Sequence, residues 1–371
     1  MTDQPGAQPE HHDDWVPPRS GLIDPRTAVM LIACLFAVVL SAVVVLLPVK
    51  YAILKPGPVL NTLGNSTDKK PLISISGHPT YETSGTLDLT TVSVLGGPDR
   101  TVTLIQVIDG WLRRSSAVVP EEQVFTPGET QEQSDAENQA EMTSSQESAT
   151  AAALWALGID VPTTLTVAGT DPSAPAADAL KKDDVILGLN GKNVGDLAEL
   201  RTMLAATGPG DDVTVKVRRD GKARAVTTQT VQAEDGDTVL GIYITPDFDF
   251  PFDVKIQIED IGGPSAGTMF ALGIIDKLTP GDLTNGKDIA GTGTMDADGT
   301  VGPIGGIRQK LVGAREAGAE YFLAPADNCN EVVGHVPDGL QVVKVKTLDQ
   351  ARTDVEKIAA GDASGLAGCD S

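Results

Sequence analysis

The distribution of apolar and polar positions predicts one membrane helix followed by a mixture of strands and helices. Residues 27–47 contain no charged residue and are long enough to cross a bilayer. Apolar and polar residues alternate over 85–94 and again from Phe252 to Ile258, as in half-buried strands. After position 266, apolar residues recur at helical spacing: Met269, Phe270, Ile274 and Leu278. The pattern as a whole predicts an α+β protein.

The residues around the apolar run indicate its role. Residues 1–26 are polar and proline-rich and are predicted to be a disordered tail. A cleaved signal peptide is disfavoured, because the run is too long and lacks a clear small-residue cleavage site. Leu31 to Cys34 has the form of a bacterial lipobox, but most of the apolar run follows Cys34. The flanking charges orient the span only weakly, since basic residues lie on both sides: Arg19, Arg26, Lys50 and Lys55.

The region between the apolar run and position 157 has three compositions. Residues 48–70 contain several prolines and glycines and are predicted to form a stalk. Residues 121–141 are rich in Gln, Glu and Ser and are predicted to be an exposed loop. Residues 142–157 are predicted to be helical, because apolar side chains give them one apolar side: Ala151, Leu154, Trp155 and Leu157.

Length, charge and cysteine content limit the possible classes of protein. The 371 residues suffice for an anchor and about two domains. A formal net charge of −23 disfavours binding of nucleic acid or anionic lipid by the soluble part. The three cysteines do not make a disulfide scaffold. Cys329 and Cys369 could pair outside the cell, but Cys369 lies in a Gly/Ala/Ser-rich tail, so a free thiol is an equal alternative.

A serine framed by glycines is the first candidate for chemistry. Ser265 lies in Gly262-Gly263-Pro264-Ser265-Ala266-Gly267, between a predicted strand and a predicted helix. A serine at such a turn has an exposed hydroxyl, and the free N–H groups of the helix N-terminus can hold an oxyanion. The alternative is that Ser265 only caps the helix.

A lysine 45 residues further along is the second candidate. Lys310 shares the apolar side of a predicted helix with Ile307, Leu311 and Ala314. A lysine on a packed face loses hydration, which lowers its pKa and makes it a candidate general base. The alternative is that its ammonium reaches solvent while its stem covers apolar surface.

Together these motifs resemble the proteolytic domain of Lon-type peptidases, which use a Ser–Lys dyad. The resemblance covers most of residues 250–350, in the family's order, and rests on these segments: Gly263-Pro264-Ser265-Ala266-Gly267, Gly291-Thr292-Gly293-Thr294, Val301 to Lys310, Ala314 to Ala319, and Leu323 to Pro337. It implies Ser265 as nucleophile and Lys310 as general base. It also implies an oxyanion hole of backbone N–H groups between Gly263 and Ala266, and it assigns Thr292 to orient Lys310.

The same serine also fits the Gly-x-Ser-x-Gly elbow of α/β-hydrolases. Such an enzyme needs an aspartate and then a histidine, which Asp296 or Asp298 and His335 could supply. That fold places several βα units before the elbow, and the preceding region does not supply them. His335 also lies in a predicted loop, so this alternative is disfavoured.

A second resemblance lies upstream. Residues 175–192 resemble the core of PDZ domains, with Asp183 where that family has glycine. A helix beside the peptide groove is expected at 197–204. PDZ domains bind a peptide C-terminus as an added strand, and a backbone nest holds its carboxylate. That nest is assigned here to Leu157, Gly158 and Ile159, although Gly158 could equally end the preceding helix. The module could also be a purely structural insert.

The patterns and resemblances together give a plan for the chain. We expect a single transmembrane helix and a Lon-type proteolytic domain that an inserted PDZ domain splits in sequence. The segments are a tail at 1–26, the membrane helix at 27–47, a stalk at 48–70, the first peptidase segment at 71–157, the PDZ domain at 158–235, the proteolytic core at 238–355 and a flexible tail at 356–371.

The expected function is that of a membrane-anchored serine endopeptidase whose soluble domains lie outside the cytoplasm. Its expected partners are protein or peptide substrates, peptide C-termini at the PDZ domain, the membrane and further copies of itself, but not nucleic acid. The chain has no Gly-x-x-x-x-Gly-Lys-Ser/Thr motif, so cleavage is expected to be independent of ATP. No metal pattern occurs either, and no cofactor is predicted. A non-catalytic PDZ scaffold is the alternative from another class.

Overall fold

The computed structural model describes residues 24–66, 70–233, 236–258 and 261–369. The predicted tail at 1–26 falls outside them, except for its last three residues. Two of the α-helices are single turns, at Ala176–Ala179 and Cys329–Val332, and short 3-10 turns lie at Glu121–Gln123 and Ala326–Asn328. The α-helices of the described residues are α1 Pro25–Val45, α2 Leu104–Leu112, α3 Gln131–Ala156, α4 Ala176–Ala179, α5 Leu197–Ala205, α6 Gly267–Leu278, α7 Ile307–Glu316, α8 Cys329–Val332 and α9 Leu348–Ala359.

The strands range from two-residue bridges to the eleven-residue β2. In chain order they are β1 Pro48–Val49, β2 Tyr51–Asn61, β3 Ile73–Ser76, β4 Thr86–Leu95, β5 Val102–Thr103, β6 Ala117–Pro120, β7 Thr163–Thr170, β8 Val185–Leu189, β9 Lys192–Asn193, β10 Asp212–Arg219, β11 Lys222–Gln229, β12 Val231–Gln232, β13 Thr238–Val239, β14 Ile242–Phe248, β15 Asp253–Ile256, β16 Asp288–Gly291, β17 Thr294–Met295, β18 Val301–Gly302, β19 Tyr321–Pro325 and β20 Gln341–Val345.

One mixed sheet forms the main body, in the order β20-β19-β16-β4-β2-β6. The first four strands are parallel, whereas β2 is antiparallel to both of its neighbours. Separate apolar clusters cover the two faces, so that Leu323 packs with α3, α6 and α9 while the adjacent Phe322 packs with α7. Because β2, β4 and β6 precede the inserted module and β16, β19 and β20 follow it, the body is split in sequence.

The inserted module has its own sheet and its own apolar core. The sheet order is β11-β10-β8-β7-β14, with β9 beside β8. Asp184 is fully buried and accepts two hydrogen bonds from Arg219, of 2.6 and 2.7 Å, in the bidentate geometry that makes such pairs strong. Asp183, at the glycine position of the PDZ pattern, has φ of 70°. The aspartate thus adopts the left-handed turn that glycine usually provides.

The predicted stalk at 48–70 is wrong. Eleven of its residues form β2, which lies between β4 and β6 and buries Ala52 and Ile53 completely. The Pro56-Gly57-Pro58 sequence suggested a break, but the register of β2 against β4 shifts between Pro56 and Val59. A bulge at that point tolerates residues that a regular ladder excludes.

The predicted loop at 121–141 is wrong in its second half. Helix α3 begins at Gln131, eleven residues before the predicted helix. Thr130 caps it, since its hydroxyl accepts from the Gln133 N–H at 3.2 Å while the Gln133 side chain accepts from the Thr130 N–H at 2.9 Å. This capping box overrides the polar composition, because it supplies partners for the first unpaired backbone groups of the helix.

The prediction of a flexible tail at 356–371 is wrong as far as Cys369, and the last two residues lie outside the described residues. Helix α9 continues to Ala359, and the chain then returns along β20, where the Lys344 N–H donates to the Ala367 carbonyl at 2.8 Å. Cys369 is buried and forms a disulfide with Cys329. The question that the sequence left open is therefore answered in favour of pairing.

The module also ends later than residue 235. Strand β14 pairs with β7 along its whole length, from Ile242 opposite Thr170 to Phe248 opposite Thr163. Residues 242–248, which were assigned to the proteolytic core, therefore belong to the sheet of the inserted module.

We expect Cys369→Ser to lower the free energy of unfolding by about 2–4 kcal/mol, because the disulfide closes a 40-residue separation in the unfolded chain. Urea unfolding under oxidising conditions measures this loss. Cys34→Ser is the control, since Cys34 is a free and exposed cysteine on α1. An unchanged urea midpoint in Cys369→Ser would contradict the expectation.

Candidate active site

The loop that carries Ser265 is held by helix α3 on one side. Ser265 lies two residues before α6, which begins at Gly267. The Asn138 carbonyl accepts from the Gly263 N–H at 2.9 Å, and Ser145 Oγ donates to the Pro264 carbonyl at 2.9 Å. A Cβ at Gly262 would lie 2.7 Å from the Asn138 Cβ, so only glycine allows this approach.

The residues after β16 hold the same loop from the other side. The Ser265 carbonyl accepts from the Gly293 N–H and from Thr292 Oγ1, each at 2.9 Å. The Gly293 carbonyl in turn accepts from the Thr268 N–H at 3.1 Å. The backbone carbonyl of Ser265 is therefore fixed by the residues after a central strand, and its loop is held by α3.

Lys310 reaches this hydroxyl from α7. Its Nζ lies 2.8 Å from Ser265 Oγ and 2.9 Å from Thr292 Oγ1. The lysine side chain is only 2 % exposed, packed on the same helix side as Ile307 and Leu311. Burial lowers the pKa of Lys310 to about 7, and no carboxylate contributes an opposing effect. Near neutral pH a large fraction of this amine is uncharged.

Thr292 determines how that amine is oriented. Its hydroxyl hydrogen is donated to the Ser265 carbonyl, so its oxygen can only accept a hydrogen bond from Lys310. A neutral lysine that donates to Thr292 can point its lone pair at Ser265 Oγ. In this arrangement a neutral Lys310 can accept a proton from the serine hydroxyl.

The predicted oxyanion donors have different surroundings. The Gly263 N–H is already bonded to Asn138, so the prediction that it serves as a donor is wrong. Gly263 instead provides the turn, with φ of 83°. The N–H groups of Ser265 and Ala266 make no hydrogen bond within the described ranges, and both residues line the cleft.

The cleft in front of Ser265 has a volume of about 470 Å³. One wall is the second half of β4, from Thr90 to Val94. Strand β16 pairs with β4 only as far as Leu89, so among the described residues this edge of β4 has no strand partner beyond that point. An unpaired edge next to the nucleophile can bind an extended peptide through backbone hydrogen bonds.

The residues that an α/β-hydrolase would need lie elsewhere. Asp296 and Asp298 are in the turn between β17 and β18, and their carboxylates face Arg201 of α5 at 3.6 and 3.3 Å. His335 is exposed in the loop after α8, where its Nδ1 lies 3.0 Å from the Val333 carbonyl. The only side chain that hydrogen-bonds Ser265 Oγ in the described part of the chain is Lys310.

The predicted carboxylate-binding loop at Leu157, Gly158 and Ile159 is wrong. Gly158 has φ of 72°, and its N–H donates to the Trp155 carbonyl while the Ile159 N–H donates to the Leu154 carbonyl. These two bonds are the Schellman ending of α3, so neither N–H is free for a ligand. Leu157 and Ile159 pack against the core of the main body instead.

A second Leu-Gly-Ile sequence, at residues 240–242, occupies the position that a PDZ groove requires. It leads into β14, which is the edge strand of the module, and it follows β13, which packs beside α5. Gly241 has φ of 69°, and the N–H groups of Leu240 and Gly241 make no hydrogen bond among the described residues. The tripeptide occurs twice in the sequence, and the sequence pattern alone does not distinguish the copy at 157–159 from the copy at 240–242.

Two parts of the chain match known families. Residues 257–356 match the Lon protease (S16) C-terminal proteolytic domain, and residues 138–230 match the PDZ domain. The chain carries a Lon-type proteolytic domain and a PDZ domain. The PDZ match begins inside α3 and ends before β14, so the edge strand of the PDZ sheet is visible only in the structure.

Similar proteins include Lon proteases from several bacteria. The Lon protease of Azospirillum brasilense is 31 % identical over 175 residues, which are 44 % of this chain and 21 % of that protein. Lon protease 1 of Sorangium cellulosum is 40 % identical over 92 residues, or 24 % and 11 %. Lon protease 2 of Bacillus subtilis is 25 % identical over 179 residues, or 46 % and 32 %. The chain thus spans only about a tenth to a third of these relatives.

A similar solved structure is the PDZ domain of an SdrC-like protein from Listeria monocytogenes. It covers 22 % of this chain and 86 % of that chain, at 21 % identity and a TM-score of 0.21. This score is too low to support any argument about the fold.

We expect Lys310→Met to raise the free energy of unfolding at pH 7 by roughly 1–3 kcal/mol, because it removes the cost of burying the amine. Above about pH 7 the folded chain has lost the Lys310 proton, whereas the unfolded chain keeps it to about pH 10.4. The wild-type protein should therefore gain stability with rising pH in this window, and its difference from Lys310→Met should narrow. Urea unfolding at several pH values measures the free energy of unfolding of the wild-type protein and of Lys310→Met. If the difference between the two free energies widened as the pH rises, it would contradict a buried neutral amine.

Proposed function

We propose that this protein is a serine endopeptidase that cleaves unstructured or exposed protein segments without ATP. The observation that carries the proposal is the 2.8 Å contact between Lys310 Nζ and Ser265 Oγ in a site that excludes water from the amine. A buried lysine with no counter-charge is costly, and such a group next to a serine hydroxyl is the arrangement that an activated nucleophile requires.

In the proposed reaction, Lys310 takes the proton of Ser265 as Oγ attacks the scissile carbonyl. The developing oxyanion accepts hydrogen bonds from the N–H groups of Ser265 and Ala266. Lys310 then gives its proton to the leaving amine, and a water molecule repeats the sequence to release the acyl group. Thr292 holds the amine in place throughout.

The cleft supports a preference for extended chains. A peptide that pairs with the free edge of β4 needs an exposed backbone, which folded substrates do not offer. No nucleotide-binding motif occurs in the sequence that could couple unfolding to ATP. Segments that are already unstructured are therefore the proposed substrates.

The PDZ domain is proposed to bind the C-terminus of a substrate or partner. The carboxylate would lie at the N–H groups of Leu240 and Gly241, and the peptide would add to β14 beside α5. An antiparallel peptide then runs towards Phe248, whose ring packs against Trp155 of α3 with centroids 6.1 Å apart. Since α3 also holds the nucleophile loop, the bound chain is led towards the proteolytic domain.

Membrane anchoring by α1 is part of the proposal. This helix has 21 residues, spans about 32 Å at 1.5 Å per residue and is long and apolar enough to cross a bilayer. The disulfide between Cys329 and Cys369 favours an oxidising compartment for the domains that follow. We therefore place the N-terminus inside the cell and the bulk of the chain outside.

We expect Ser265→Ala and Lys310→Ala each to lower the turnover of an unfolded model protein such as reduced casein by at least about 10³-fold. His335→Ala should keep nearly full activity, because that side chain is exposed and its ring contacts the Val333 carbonyl rather than Ser265 or Lys310. Gel-based and fluorogenic assays with the full chain in detergent measure this. An inactive His335→Ala with an active Lys310→Ala would reverse the assignment of the base.

We expect substrates with a free apolar C-terminus to be cleaved with a lower KM than the same peptides with an amidated C-terminus. The reason is that the proposed site at the N–H groups of Leu240 and Gly241 binds a carboxylate. Ala198→Trp, which fills the groove beside α5, should remove this difference and leave kcat on short generic peptides unchanged. Ala225→Trp is the matched control on the opposite edge strand β11, where the side chain is exposed. Equal kinetics on free and amidated peptides would leave the PDZ domain with a structural role only.

We expect alkaline phosphatase fused after Ser371 to be active in intact cells, because this reporter folds only outside the cytoplasm, where disulfides form. The same reporter fused before Met1 should be inactive. The opposite pattern would show that the span runs in the other direction.

A further inference from the structure

Helix α2 exposes a continuous apolar side. Val107 and Gly110 are buried against the body, where a Cβ at Gly110 would lie 2.8 Å from the Val118 side chain. The outward residues are large and apolar, with exposed fractions between 41 % and 80 %: Ile105, Ile108, Trp111 and Leu112. At 100° per residue these four lie within a 120° sector of the helix. No part of the described chain covers this side.

The position of α2 indicates what does cover it. The Leu104 N–H at the start of α2 donates to the Leu47 carbonyl at 3.2 Å, two residues after the end of α1. The bridge from β1 to β5 fixes this arrangement, with Pro48 opposite Thr103. The exposed apolar side of α2 therefore begins where the proposed span leaves the hydrocarbon.

The polar and aromatic residues of α2 suit the boundary between lipid and water. Trp111 packs edge-on against Tyr51, with ring centroids 6.4 Å apart, and both residue types favour the headgroup level of bilayers. Asp109 borders the apolar side, but its carboxylate is paired with Arg113 at 2.8 Å. No unpaired charge of α2 thus opposes contact with acyl chains.

We propose that α2 lies in the interfacial layer of the bilayer that α1 spans, with Ile105, Ile108 and Leu112 among the acyl chains and Trp111 at headgroup level. The proposal rests on the membrane anchoring proposed above. The binding is apolar, so it does not need anionic lipid and is compatible with the net charge of −23. The occupant of this surface is lipid because the surface is continuous with the end of the span.

This second attachment sets the orientation of the proteolytic domain. A single helix alone leaves the body free to rotate about the membrane normal and to tilt, whereas two neighbouring attachments restrict the tilt. Val94 at one end of the cleft pairs with Leu54 of β2, three residues after Tyr51. The attachment therefore holds one end of the cleft close to the membrane surface, where membrane-proximal segments of other proteins would be the nearest substrates.

Depth-dependent fluorescence quenching in the full chain tests the proposal. The chain with Trp15→Phe and Trp155→Phe, which keeps only Trp111, is placed in phosphatidylcholine nanodiscs with or without brominated acyl chains. We expect bromination to lower the Trp111 emission about twofold or more, as for a residue at the lipid boundary. Two probes in a tryptophan-free background give the reference values for quenching. Phe36→Trp, within the span, gives the value for a residue among acyl chains, and Tyr243→Trp, on the exposed side of β14, gives the value for a residue in water.

The probes separate this proposal from the proposal of anchoring. Quenching of Phe36→Trp without quenching of Trp111 overturns the interfacial position of α2 and leaves the anchor in place. No quenching of either probe overturns the anchor and with it the position of α2. An unquenched Trp111 whose emission changes with the number of chains per disc would show that a second copy covers this surface, which also overturns the proposal.

A pair of charge substitutions tests the face directly. Ile108→Glu, introduced into the chain that keeps only Trp111, should reduce the quenching by at least half, because the carboxylate would enter the acyl region. Gln106→Glu adds the same charge on the polar side of α2 and should leave the quenching unchanged. If the tryptophan substitutions prevent folding, photoactivatable phosphatidylcholine should label residues 104–112 of the unmodified chain. Equal quenching in both glutamate variants, or labelling confined to α1, would contradict the proposal.

Discussion

The burial of one amine beside one hydroxyl is the constraint on which this structure depends. Lys310 has no carboxylate partner, so its neutral form must be accommodated by packing and by the hydroxyls of Ser265 and Thr292 alone. Such an arrangement lowers stability at neutral pH, and the surrounding elements must offset this cost. They do so through apolar clusters on both faces of the central sheet, which hold α7 on one face and α6 on the other, both in contact with the internal strand β4.

Helix α3 connects the two domains of the chain. Asn138 and Ser145 of this helix hold the nucleophile loop, and its last turn carries Trp155, which contacts the end of the PDZ strand β14. A second connection runs from α5 of the PDZ domain, where Arg201 faces the turn between β17 and β18. The groove proposed to bind peptides, between α5 and β14, therefore lies next to elements that also position Ser265. In our account, recognition and cleavage are linked through these shared elements.

The candidate site residues could be predicted from the sequence better than the architecture could. A glycine turn before a helix and a lysine on an apolar helix side are local patterns, and they made Ser265 and Lys310 candidates, while the family resemblance assigned their roles. Strand β2 could not be predicted, because its place between β4 and β6 depends on non-local pairing. Its proline-rich middle is also untypical of a strand and is accommodated only by a bulge against β4. The same holds for the C-terminal tail, whose order depends on the bond to Cys329. The oxyanion donor at Gly263 failed because only the fold brings Asn138 to its N–H.

The pH dependence of kcat/KM for an unstructured peptide tests the central claim most directly, since it reports the protonation of the free enzyme's base. If neutral Lys310 is the base, kcat/KM should rise tenfold per pH unit at low pH and level off near pH 7, where burial places the pKa of Lys310. The same midpoint should appear in His335→Ala. A rate that keeps rising to about pH 10, where an ordinary lysine titrates, would contradict the buried neutral amine. If the midpoint disappeared in His335→Ala, the titrating base would be His335 and the assignment to Lys310 would be wrong.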